Sequence, residues 1–148
     1  MTYQGFFSLL TTQDLLNKAR ADFLEMESNS SDSYIAFNFF VTARHIPEWQ
    51  FYNDSKKLKE IFKNHVESRI CRHLADGAKH FVATNIHHTQ VLSTKRQGGF
   101  DPRLFDPVIF DTNKLMVELS NEDSFVLGVN QFISAIDLAR KVLNRLAM

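Results

Sequence analysis

SYIAFNFFVTARH, residues 33–45, decides the fold. Tyr34, Ile35, Phe37, Phe39, Phe40, Val41 and Ala43 leave only Asn38, Thr42, Arg44 and His45 polar, so a helix here is apolar almost all round. Such a helix belongs at the centre of a bundle. Asp32 or Ser31 is placed to cap it, after the break made by Ser28, Asn29, Ser30 and Ser31. Pro47 is expected to end or kink it near Ile46, with Glu48 and Trp49 in a further short turn.

Outward on the amino-terminal side, Thr11 with Asp14 three residues later approximates a capping box. Leu15, Leu16, Ala19, Phe23 and Met26 then recur at helical spacing, predicting a helix over residues 11–27. On the other side, Asp54 or Ser55 starts a short lysine-rich helix in KKLKEIFKNH, with Leu58, Ile61 and Phe62 on one face. From Val66 the apolar spacing resumes through Ile70, Leu74, Ala75, Ala78, Phe81 and Val82, with Gly77 as its one weak point. Beyond Asn85 the runs HHTQVLST, RLFDPVIF, KLMVELS and SFVLG are short, rich in β-branched and aromatic residues, and separated by turn chemistry. They predict a small antiparallel sheet. A last helix is expected from about Gly128 to Ala147, with Val129, Phe132, Ile133, Ile136, Leu143 and Leu146 on its stripe. The fold class is therefore α+β, mainly α: a bundle of four to five helices, with a small antiparallel sheet inserted before the C-terminal helix. Residues 1–148 are expected to form a single domain. The breaker-rich stretch from Ser93 to Val108, with Phe-Asp-Pro at 100–102 and again at 105–107, reads as a long hairpin connection or a contact loop.

Composition narrows the function. Fourteen of the aromatic residues are Phe, against three Tyr and one Trp, which suits a dry core better than a sugar-binding surface. A lone cysteine, Cys71, can form neither an intramolecular disulfide nor a cysteine-based zinc site, and points to a reducing compartment, with the cytoplasm as the default. The start MTYQGFFSLLTTQD carries no positive leader, and its apolar core FFSLL is too short for a signal peptide or a membrane span, so no membrane association is expected. Seventeen Lys and Arg balance seventeen Asp and Glu, which argues against a general electrostatic nucleic-acid binder. The balance is uneven along the chain. Lys56 to His80 carries seven bases and three acids, and Asp101 to Ser124 six acids and two bases, so the segments could pair within the fold or across a dimer.

The most informative constellation lies between Val66 and Phe81. Arg69, His73, Asp76 and His80 share one helical face, flanked by Arg72 and Lys79. Asn38, Thr42 and His45 share a face of the central helix, so two polar stripes could meet. Guanidinium, imidazole and amide groups gathered there would hold a phosphate or move a proton near neutral pH. A simpler reading is a solvated face with i to i+4 pairs. No HExxH or Glu-x-x-His pair occurs, and adjacent His87 and His88 would point to opposite faces of a strand, so no metal is expected. Cys71 reads as a small core residue. No Gly-rich phosphate loop and no GxSxG elbow is present, and no cofactor is expected.

YIAFNFFVTARHIPEW at 34–49 and RICRHLADGAKHF at 69–81 resemble a group of uncharacterised bacterial helical proteins. More distantly they are similar to HEPN-type domains, compact and commonly dimeric bundles of defence and toxin–antitoxin systems. Catalytic members of that class are metal-independent ribonucleases that use an Arg and a His four to six residues apart on one helix. Carried onto this chain, the resemblance implies Arg72 and His80 as the pair, with Asn38 from the neighbouring helix. Here seven residues separate Arg72 from His80, and three separate Arg69 from His73. The leading expectation is a non-enzymatic domain that binds a protein partner, a second copy or a ligand through the face of the two central helices. Asn38, His45, Arg69, His73, Asp76 and Lys79 are its candidate binding residues. The alternative is an HEPN-like ribonuclease acting on RNA through Arg72 and His80.

Overall fold

A computed structural model describes residues 3–80, 91–97 and 114–147. The first helix, α1 (Thr12–Ser28), is closed by a full capping box. Thr11 Oγ1 accepts from the Asp14 N–H at 3.1 Å, and Asp14 Oδ2 accepts from the Thr11 N–H at 2.9 Å and the Leu10 N–H at 3.0 Å. These bonds, that from Leu10 first, hold the Asp14 carboxyl below its ordinary pKa. Asp32 caps α2 (Ser33–Gln50), accepting from the Tyr34 N–H at 2.8 Å.

α2 does not stop at Pro47. Its last turn runs on to Gln50, and Pro47 O still accepts from the Phe51 N–H at 3.0 Å. A proline inside a helix removes one hydrogen bond and crowds the preceding turn. Here Pro47, like Ile46 before it, is buried within the continuing helix. Ala36, Phe39, Phe40, Ala43, Ile46 and Pro47 form the buried stripe, while Tyr34 and Phe37 stay 85% and 50% exposed. The helix is central, but its first two turns keep an apolar outer side.

Asp54 caps α3 (Ser55–Asn64) through the Lys57 N–H at 3.0 Å, and Phe62 is buried on the expected face. α4 (Val66–His80) buries Val66, Ile70, Cys71 and Ala75. Three strands, β1 (Val91–Gln97), β2 (Lys114–Leu119) and β3 (Phe132–Ser134), form one antiparallel sheet in that order. The register sets Lys95 opposite Met116 and Val117 opposite Ile133. RLFDPVIF at 103–110, residues 87–90 of HHTQVLST, Phe81, Val82 and the connection 98–113 lie outside the described residues.

Two further sequence expectations are corrected. SFVLG is not a strand: residues Asn121–Leu127 form a helix, α5. Ser120 Oγ caps it by accepting from the Asp123 N–H at 3.2 Å, and Gly128 ends it in the left-handed region at φ 69°. The Val129 N–H reaches Ser124 O and the Gly128 N–H reaches Phe125 O, a Schellman closure that outweighs the β-preference of Phe125 and Val126. Both side chains remain exposed. The final helix, α6 (Ala135–Leu146), starts later than Gly128 because Phe132–Ser134 pairs with β2, and Ser134 then caps the helix through the Asp137 N–H at 3.2 Å. Its buried stripe is Ala135, Leu138, Ala139 and Val142.

α2 packs against α1, α4 and α6, and β2 lies against α6. Phe39 is fully buried where Phe23 and Phe40 meet it, with ring centroids 6.2 and 5.2 Å away. The result is a mainly helical α+β fold of six helices among the described residues, with a small antiparallel sheet before the C-terminal helix.

Candidate functional site

α2 and α4 are joined by charge. Arg44 Nε donates to Asp76 Oδ1 at 2.8 Å, Arg44 Nη1 also pairs with Glu48 one turn on, and His45 Nδ1 donates to Glu48 Oε2 at 3.1 Å. Asp76 is only 8% exposed. Burial is the largest influence on Arg44 and opposes its charge, yet the hydrogen bonds to Asp76 and Glu48 together hold its pKa above the ordinary value. Glu48 is held below its ordinary value, first by the hydrogen bond from His45 and then, against burial, by Arg44. Spacing along α4 alone does not reveal Arg44 or Glu48. The signal was an opposite-charge pair at i and i+4 on an otherwise apolar helix.

The row predicted along α4 is neither a solvated stripe nor one cluster. Arg69 Nη1 donates to Lys63 O at 2.8 Å and Nη2 to Asp123 Oδ1 at 3.2 Å, tying α4 to the end of α3 and to α5. His73 Nδ1 accepts from the Val91 N–H at 3.0 Å, which places the proton of the neutral ring on Nε2 and ties α4 to β1. Asp76 ties it to α2. Arg72 lies with its guanidinium carbon 4.7 Å from the Phe62 ring centroid, and its buried Nε has no hydrogen-bond partner among the described residues. The side chains of Lys79 and His80 lie outside the described residues.

The second stripe turns elsewhere. Asn38 is exposed, and Thr42 Oγ1 accepts from Lys18 Nζ at 2.9 Å and donates to Asp22 Oδ2 at 3.2 Å, so it faces α1. The expected meeting of Asn38, Thr42 and His45 with Arg69, His73 and Asp76 does not form; Arg44 makes the junction instead. Cys71 is buried with Sγ 3.5 Å from Phe40 O, and burial pushes its thiol up to about 12, as a core residue rather than a nucleophile. Among the described residues no group of three or more His, Cys, Asp or Glu could hold a metal ion, and no helix is long and apolar enough to cross a membrane.

Beside this junction two grooves open. One, of ≈ 350 Å³, runs between α2, α4 and the sheet; Ala36, Phe37, Phe40, Leu74, Leu115 and Val117 give it apolar walls, and Lys95 lies at its side. The other, of ≈ 360 Å³, lies between α4 and β1 and is lined by His73, Gly77, Val91 and Ser93. Leu74, Ala78 and Thr94 border both. The first can take up apolar side chains; the second offers an imidazole and a hydroxyl. No family model, curated protein or solved structure matches this chain.

Proposed function

We propose that the chain is a non-enzymatic helical domain that binds a protein partner through the face of α2 and α4. The observation that carries this reading is the apolar groove between those helices, with Phe37 half-exposed in its wall and Tyr34 exposed nearby on the same helix. An exposed apolar edge beside a concave apolar groove is the surface that a partner's buried anchor residues use. The ionisable groups that join α2 to α4 are engaged with one another: Arg44 with Asp76 and Glu48, and His45 with Glu48.

A peptide library displayed on phage and selected against the purified protein tests the reading. Selected sequences should carry a large apolar anchor, and their binding, measured by titration calorimetry, should fall about tenfold or more in Phe37→Asp with an unchanged circular dichroism spectrum. Equal binding by that folded variant would contradict the proposal. So would cleavage of mixed RNA in chelator-containing buffer that both Arg72→Ala and His80→Ala abolish, the outcome that the HEPN-like reading expects.

A further inference from the structure

A third groove lies between β2, β3, the turn at Gly128–Asn130 and α6, and at ≈ 730 Å³ it is larger than either groove beside α4. Lys114, Arg140 and Lys141 line it, against the single carboxylate of Asp137. Arg140 Nη1 is bound to Asp137 Oδ1 at 2.7 Å. Lys114 and Lys141 are half-buried, and neither has an ion-pair partner among the described residues. Two cations without a carboxylate partner make the groove locally positive, and an arriving anion answers that charge.

Asn130, Ser134 and Asn144 add hydrogen-bonding groups to the same walls, and Phe132 adds an aromatic surface. Carboxamides both donate and accept, which suits the edges of nucleobases, while the cations suit the phosphodiesters between them. We infer that this groove binds a short stretch of single-stranded RNA, with Lys114, Arg140 and Lys141 on the phosphates and Asn130 and Asn144 on the bases. The chain as a whole has no net charge, so the groove's attraction for an anion comes from these side chains and not from an overall basic balance.

Fluorescence anisotropy with a labelled ten-nucleotide oligouridylate tests the inference over a series of salt concentrations. Three phosphate contacts predict a slope of log affinity on log salt of about −2, and the double variant Lys114→Gln, Lys141→Gln should flatten it to about −0.7. Glutamine keeps the length and polarity of the stem, and circular dichroism checks the fold. Lys56→Gln with Lys59→Gln on α3 should leave both affinity and slope unchanged. The inference is overturned if the wild type shows no saturable binding at low salt, if the folded groove variant binds as the wild type does, or if the α3 variant loses binding instead. Equal binding of a labelled polyglutamate peptide would likewise overturn it, making the groove a site for an acidic protein segment.

Discussion

Asp76 is the residue on which the junction of the two central helices depends. Its carboxylate is buried and answers a guanidinium that is itself largely removed from water. Asp76→Ala should therefore destabilise the protein by about 1.5–3 kcal/mol, since it removes a buried charge-assisted bond while Glu48 still answers Arg44. Arg44→Met combined with Asp76→Leu should recover most of that loss, and urea denaturation of the three proteins measures both effects. Glu48 adds a pH dependence. Its folded pKa lies below the unfolded one, so its contribution to stability is complete above the ordinary glutamate value and is lost as pH falls through the lowered folded value. Urea midpoints should drop across that acid range, and less steeply in Glu48→Gln. Cys71, with its thiol pushed up to about 12 and no access to solvent, should react with a disulfide reagent only at the rate of unfolding. Rapid modification of the folded protein would contradict its place in the core.

Among the elements, the helices whose starts are marked by a short polar side chain were legible: Thr11, Asp32 and Asp54 each cap where the sequence places them. Residues 124–128 misled because Phe125 and Val126 carry strand preference, while Ser120, Asp123 and Gly128 carry helix-end chemistry over the same few residues. The caps prevailed, and the apolar side chains were left on the surface. Pro47 misled in the opposite sense, since its burial could not be read from local sequence. Two glycines separate these influences by experiment. Gly77 lies inside α4, where an added Cβ meets nothing within 4 Å, so Gly77→Ala should stabilise the protein by about 0.5–1 kcal/mol. Gly128 is equally open but sits at φ 69°, so Gly128→Ala should cost about 1–2 kcal/mol. Thermal denaturation of the two variants should show shifts of opposite sign.

At the scale of the whole molecule, the site was less legible than the fold. The spacing of Arg69, His73 and Asp76 on one helix is correct, but each side chain answers a group far away in sequence: Asp123, Val91 and Arg44. Periodicity along a single element carries no information about such partners. The basic and acidic segments do meet within the fold at Arg69 and Asp123, one of the arrangements their opposite charges suggested. The apolar groove of the α2–α4 face draws on α2, α4, β1, β2 and the start of α6, and so exists only once the sheet has docked on the helices. The measurement that tests its role most directly is an amide ¹H–¹⁵N correlation spectrum of the labelled protein titrated with a display-selected peptide. Shifts concentrated at Ala36, Phe37, Phe40, Leu74 and Ala78 are the predicted result. Shifts gathered on α3 or α5, with that groove unperturbed, would contradict the account.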